Sequence, residues 1–165
     1  MIYLTCNILS IISLLLMGCV SYHGFAYDIF NDDPNLGLNN HIILYFSTIF
    51  LYAFTISLVM FYLIGSGKRI KELIMHYNLN KEQYNDVLQI KRIFFPPITI
   101  NLVLVPAAFF LYAAVDQLDI NRLWYDAILI ISFFHYAYVI YLQLGIFKKD
   151  VAILENIGEQ IKKSD

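Results

Sequence analysis

Four long apolar stretches, separated by short polar segments, dominate the chain. They cover residues 2–22, 41–64, 96–115 and 123–147, and Asp126 is the only charged residue within them. A bilayer core about 30 Å thick is crossed by about 20 residues of helix. Because lipid cannot satisfy backbone N–H and C=O groups, helices are favoured over irregular structure. The pattern predicts an all-α fold, with a four-helix transmembrane bundle as a single domain over residues 1–147.

The polar segment between the second and third stretches also carries helical periodicity. Residues 68–94 begin with a run whose apolar side chains share one helical face: Ile70, Leu73, Ile74 and Tyr77. A polar break follows, and Asn80 with Gln83 then forms a capping-box pattern that starts a second run. We therefore expect a helical hairpin on the cytoplasmic side of the membrane, between the second and third transmembrane helices.

The segments next to the hairpin carry two further expectations. Pro96 and Pro97 suit the first turn of the third transmembrane helix, where a missing N–H costs little. The C-terminal tail, residues 148–165, has an amphipathic pattern. We expect a cytoplasmic tail that lies along the membrane, packs on the hairpin or forms a frayed surface helix.

The distribution of basic residues predicts the orientation in the membrane. Six of the eleven lysines and arginines lie in residues 68–94 and four lie in the tail, whereas the loop after the first stretch has none. The positive-inside rule then places both termini and the hairpin in the cytoplasm. An even number of spans puts both termini on the same side of the membrane, which agrees with this orientation. The hairpin could contact anionic headgroups or a partner through its basic residues, Lys68, Arg69, Lys71, Lys91 and Arg92.

The composition supports a membrane protein and excludes several other classes. The chain is 59% hydrophobic and 15% charged, whereas soluble domains are about 45–50% apolar and about 25% charged. A soluble globule of this length would expose much of that apolar surface. The net charge of −2 gives no general signal for nucleic-acid binding, so no nucleic-acid partner is expected.

Three side chains near the outer end of the first two helices form a candidate metal site. His23 follows the first stretch, His41 begins the second, and Cys19 lies one turn below His23 on the same face. Imidazole and thiolate ligate copper, iron and zinc. The alternative is a pair of interfacial histidines bonded to water, and no regular ligand spacing favours the metal.

Cys19 has a second interpretation as a processing site. The segment from Leu16 to Cys19 resembles a bacterial lipobox, in which the cysteine is lipidated and the preceding residues are removed. It departs from the pattern at Met17, where a small residue is usual, and the N-terminal residues lack the positive charge of a signal peptide. Either interpretation leaves the rest of the topology unchanged.

His135 lies about halfway along the fourth stretch, where an ionisable group is costly and faces the bundle interior. A neutral imidazole bonded to a polar side chain of a neighbouring helix would join the two helices. The candidates for that partner are Thr48, Tyr52, Thr55 and Asn101. The alternatives are a haem ligand and a proton or substrate site.

One segment carries a resemblance to a known group of proteins. Residues 60–72 contain Phe61-Tyr62-Leu63-Ile64-Gly65-Ser66-Gly67-Lys68, and residues 91–96 run from Lys91 to Pro96. These segments resemble uncharacterised bacterial four-helix integral membrane proteins, in which F-Y-x-I-G-[ST]-G-[KR] ends the second helix. The resemblance implies the same topology in a bacterial inner membrane and transfers no catalytic residue.

The functional expectation is a non-enzymatic membrane subunit. The sequence contains no phosphate loop, zinc-protease, serine-hydrolase or dinucleotide motif. The 13 tyrosines and 13 phenylalanines exceed what four helices can bury among themselves, which favours a scaffold that binds lipid, a second copy of itself or other membrane subunits. No cofactor is expected. The alternatives are a redox accessory subunit that holds haem b or copper, and a small channel or transporter.

Overall fold

The chain is described by a computed structural model that covers residues 2–30, 34–79, 82–118 and 121–164. Side chains are described for these residues except 23–42, 113, 116, 117 and 164. The described residues form four α-helices: α1 (Ile2–Phe30), α2 (Pro34–His76), α3 (Glu82–Leu118) and α4 (Leu123–Ser164). All four are long and apolar enough to cross a membrane. The all-α, four-helix prediction is therefore confirmed.

Three of the helices are much longer than a membrane requires. The 43 residues of α2 and the 42 residues of α4 correspond to about 60 Å each, twice the thickness of a bilayer core of about 30 Å. α3 has 37 residues, whereas α1 has only 29. At the end of the bundle where α1 begins, α2, α3 and α4 therefore continue without it.

The expectation that Pro96 and Pro97 open a helix is wrong, because both lie inside α3. The buried positions of α3 recur every three or four residues through the prolines: Val87, Ile90, Phe94, Ile98, Asn101, Val105 and Ala108. One continuous face therefore packs against the neighbouring helices on both sides of the prolines. That packing offsets the two backbone hydrogen bonds that proline cannot donate.

The helices form a ring in which sequence neighbours are also spatial neighbours. α1 packs on α2 and α4, and α3 packs on the same two helices. α2 and α4 also contact each other across the ring, whereas α1 and α3 do not touch within the described residues.

The core continues into the extensions of α2, α3 and α4. Ile70 and Ile74 from α2, Val87 from α3 and Ile157 from α4 form one buried cluster. None of the α1 side chains that the structure describes belongs to this cluster. Of the three arrangements expected for the C-terminal tail, the structure shows the one in which it packs on the ends of α2 and α3.

Candidate functional site

A group of hydrogen-bonded polar side chains is centred on Asn101, with Tyr52, Asn101 and Ser132 buried in the bundle and His135 half-buried at the edge of the group. The Tyr52 hydroxyl donates to Asn101 Oδ1 over 2.7 Å. Asn101 Nδ2 lies 3.1 Å from His135 Nδ1 and 3.4 Å from the carbonyl oxygen of Ser132. We call Tyr52, Asn101, Ser132 and His135 the Asn101 cluster. It joins α2, α3 and α4 through one buried amide.

This geometry bears on which atom donates between Asn101 and His135. Because Asn101 Oδ1 accepts from Tyr52, the Nδ2 end of the amide faces His135 and acts as a donor. We therefore assign the acceptor role to His135 Nδ1, with the ring proton on Nε2. The structure thus identifies Asn101 as the interhelical partner expected for His135. A haem at His135 stays a prediction.

The other candidate partners of His135 make different bonds. Thr48 and Thr55 donate to carbonyl oxygens of their own helix, at Leu44 and Leu51. Tyr52 bonds to Asn101 and therefore reaches His135 only through that amide. Helix α2 thus contributes Tyr52 to the contacts between helices, while the hydroxyls of Thr48 and Thr55 bond to carbonyl oxygens of α2 itself.

A second group of interior side chains joins α1 to α4. The Gln143 amide donates from Nε2 to Asn7 Oδ1 over 2.9 Å and to Ser10 Oγ over 3.1 Å. The Tyr136 hydroxyl donates to Ser13 Oγ over 3.2 Å. We call Asn7, Ser10, Ser13, Tyr136 and Gln143 the Gln143 cluster. Its side chains link the two helices along about two turns of each.

An edge-to-face ring contact connects the two clusters. The centroids of Tyr52 and Tyr136 are 5.0 Å apart, with an angle of 84° between the ring planes. Such geometry brings the positive edge of one ring to the negative face of the other. All four helices are therefore linked by side-chain contacts at the same level of the bundle.

A third polar group lies beside the start of α1, where the extensions of α2, α3 and α4 begin. Asp150 on α4 is buried, and the Ser66 hydroxyl donates to its Oδ1 over 3.0 Å. Asp150 Oδ2 has no hydrogen-bond partner among the described residues. Lys91 and the Tyr62 hydroxyl lie near the same carboxylate. This group joins all three extensions.

Gly67 makes room for Lys91 in this group. A Cβ added at Gly67 would lie 2.5 Å from Lys91 Nζ and 3.1 Å from Val87 Cγ1. The lysine side chain of α3 therefore crosses α2 at the position where α2 has no side chain. By contrast, a Cβ at Gly65 would meet nothing within 4 Å.

The basic residues predicted to contact lipid or a partner lie in different environments. Lys68, Arg69, Lys71 and Arg92 are exposed, and Lys91 is half-buried. Lys68 Nζ lies 3.8 Å from Glu72 Oε1, and Lys71 Nζ lies 6.0 Å from the centroid of the Tyr84 ring. The four exposed side chains lie on the surface, two of them beside these neighbours, and their contact with lipid or a partner stays a prediction.

The candidate metal site is only partly covered by the described residues. Cys19 is exposed on α1. The side chains of His23 and His41 lie outside the described part of the chain. Within that part, no three His, Cys, Asp or Glu side chains come together to hold a metal ion. The metal, haem and copper expectations stay predictions.

Sequence reasoning missed the Gln143 cluster and Asp150. A signal was present, because Tyr136, Gln143, Asp150 and Ile157 are seven residues apart and therefore share one face of α4. All four are buried. Polar residues that share a heptad face with a tyrosine and an isoleucine indicate interior contacts, which hydropathy averaged over a window does not reveal.

We expect Asn101→Leu to destabilise the bundle by about 1–2 kcal/mol. The substitution leaves both the Tyr52 hydroxyl and His135 Nδ1 without a partner. Hydrogen bonds between membrane helices average about 0.6 kcal/mol each. His135→Gln should retain most of the stability, since a glutamine amide can still bond to Asn101. Reversible unfolding in mild detergent measures both changes. The control is Thr99→Val on the exposed face of α3, where the hydroxyl bonds only to its own helix. A loss with Thr99→Val equal to that with Asn101→Leu would contradict the expectation.

A second prediction compares Gly65 with Gly67 on α2. Gly65→Ala should stabilise the helix by up to about 1 kcal/mol, because alanine has the higher helix propensity and its Cβ meets open space. Gly67→Ala should lose that gain, since its Cβ displaces the Lys91 side chain and crowds Val87. The measurement is the thermal unfolding midpoint of each variant, which should be higher for Gly65→Ala than for Gly67→Ala. Equal stabilisation by both would show that Lys91 does not occupy the space over Gly67.

Comparisons with known proteins add no further information on the site. No protein-family model, curated protein or solved structure matches the chain at a significant level.

Proposed function

We propose that the protein is a small multi-pass membrane scaffold that binds other membrane subunits through the outward face of α2. The observation that carries this proposal is a row of phenylalanines. Phe46, Phe50 and Phe54 are 61%, 72% and 53% exposed and are spaced four residues apart. With Ser47 and Leu51 they line an open groove of about 550 Å³.

The shape of this surface suits a partner helix. Residues four apart form a ridge on a helix surface, and the groove beside such a ridge accepts the ridge of another helix. Lipid tails are as apolar as phenylalanine, so burial of apolar surface alone does not drive helices together in the bilayer. Helix association there depends on the packing of ridges into grooves and on small residues that allow close approach. Ser47 supplies a small side chain between bulky phenylalanines. The partner is a transmembrane helix of another subunit or of a second copy.

The interior contacts support a scaffold because they hold α2 in one rotation. Tyr52 is buried against Asn101, and residues two positions away on a helix point about 200° from it. Phe50 and Phe54 therefore face outward as long as Tyr52 faces inward. A helix fixed from inside in this way presents the same surface to every partner, with little loss of conformational freedom on binding.

The orientation and location belong to the same proposal. The concentration of lysine and arginine in residues 68–94 and in the tail supports a bacterial inner membrane protein with both termini cytoplasmic. The extensions of α2, α3 and α4 would then form a helical hairpin and tail in the cytoplasm. A scaffold of this kind would bind membrane subunits through the phenylalanine row of α2. Its basic cytoplasmic extension would lie beside that surface.

We expect Phe50→Ala combined with Phe54→Ala to shift the protein from a complex to a free chain. The measurement is native mass spectrometry from nanodiscs, which reports both a second copy and a co-purifying subunit. The unfolding midpoint should barely change, because neither side chain is part of the buried core. The matched control removes two equally exposed phenylalanines from other helices, Phe110→Ala with Phe134→Ala.

Two results would contradict the scaffold. One is a strictly monomeric wild-type protein in mild detergents and nanodiscs with no co-purifying partner. The other is an equal loss of the complex in the control variant. An absorption spectrum and metal analysis of the same preparation would instead support the redox alternative if they revealed bound haem or copper.

A further inference from the structure

A groove between α3 and α4 combines an apolar floor with a basic rim. Its volume is about 390 Å³. Ile90 and Ile93 of α3 and Ile146 of α4 contribute to the floor, and Lys148 and Lys149 stand at the rim. The groove lies on the side of the bundle where α1 begins, close to the start of the extensions.

The depth of the groove follows from the hydrogen bond between Asn101 and His135, which sets the register of the antiparallel helices. Tyr52 and His135 are each near the middle of an apolar stretch, so the Asn101 cluster marks the centre of the bilayer. Lys148 is then about 20 Å from the centre along α4, whereas on α3 Ile90 is about 16 Å away and Ile93 about 12 Å away. The hydrocarbon boundary is about 15 Å from the centre. The lysines are therefore at headgroup level, above apolar walls that reach into the hydrocarbon.

Both lysines are available to an external anion. Lys148 and Lys149 are exposed, and neither makes an ion pair in the part of the chain that the structure describes. The nearest acidic neighbour in sequence, Asp150, is buried and accepts a hydrogen bond from Ser66. The rim therefore carries two adjacent positive charges that face outward without compensation from that carboxylate.

Gly145 opens the groove on the α4 side. It is exposed and lines the groove, and a Cβ added there would meet nothing within 4 Å. A larger side chain at this position could enter the groove without disturbing the packing of the helices. The shape of the groove and its charge can therefore be altered independently.

We propose that this groove binds an anionic phospholipid, with the phosphate held by Lys148 and Lys149 and one acyl chain lying against Ile90 and Ile93. A phosphodiester with apolar chains matches a paired positive rim over an apolar floor, and basic sites between transmembrane helices bind acidic headgroups in this way. The inference deepens the proposed function, since it rests on the chain being a membrane protein, but it does not depend on a partner at α2.

The test measures lipid retention by native mass spectrometry of the full-length protein. Phosphatidylglycerol and phosphatidylcholine with identical acyl chains are the probes. We expect preferential retention of phosphatidylglycerol, and we expect Lys148→Gln with Lys149→Gln to weaken its binding roughly tenfold or more. The control, Lys162→Gln with Lys163→Gln, removes the same charge from the far end of α4 and should leave binding unchanged.

A steric pair tests the acyl-chain contact separately. Gly145→Leu keeps every charge and should reduce retention of phosphatidylglycerol, whereas Gly158→Leu should not, although its Cβ also meets open space on the same helix. Glycerol phosphate, which has the anionic group without acyl chains, should not compete with the lipid. Circular dichroism and the unfolding midpoint check that each variant is folded.

Several results would overturn the proposal. They are equal retention of the two lipids, equal loss in both lysine pairs, no effect of Gly145→Leu in a folded protein, and competition by glycerol phosphate. The scaffold proposal is tested by a different variant and a different readout. Phe50→Ala with Phe54→Ala should release a subunit while phosphatidylglycerol stays bound, so the two proposals can fail independently.

Discussion

The side-chain amide of Asn101 fixes how α2, α3 and α4 are rotated against one another. It is buried in an apolar bundle, where an unpaired amide costs free energy. Its oxygen is satisfied by Tyr52 of α2, and its nitrogen by His135 and the Ser132 carbonyl of α4. A turn of any of the three helices would break at least one of these bonds. The apolar side chains alone would tolerate several rotations, since lipid and core are equally apolar.

The rotation selected in this way has consequences at the surface. With Tyr52 inward, the phenylalanine row of α2 faces outward. With His135 against Asn101, α4 meets α3 in the register that leaves a groove below Lys148 and Lys149. α1 is attached to the same arrangement by the contacts of Gln143 with Asn7 and Ser10. The polar contacts between the helices therefore determine which apolar side chains face outward.

The sequence was sufficient to predict the four helices, because runs of about 20 apolar residues can satisfy their backbone in lipid only as helices. It also indicated a polar contact between His135 and a neighbouring helix, and His135 Nδ1 does lie 3.1 Å from Asn101 Nδ2. It could not identify Asn101 as the partner, because hydropathy does not determine helix rotation. Pro96 and Pro97 wrongly suggested the start of a helix for a related reason. Packing against the neighbouring helices stabilises α3 on both sides of the prolines, and local sequence does not report that packing. The space over Gly67 depends on where the Lys91 side chain of another helix lies, and no local pattern reports that.

The central claim is that His135 is a neutral acceptor for the Asn101 amide. Its most direct test is solid-state NMR of the protein in bilayers, with ¹⁵N-labelled histidine and asparagine. We expect the His135 shifts of a neutral ring with its proton on Nε2, and a through-space contact between His135 Nδ1 and the side-chain nitrogen of Asn101. A ring protonated on Nδ1, a charged imidazolium or the absence of that contact would contradict the claim.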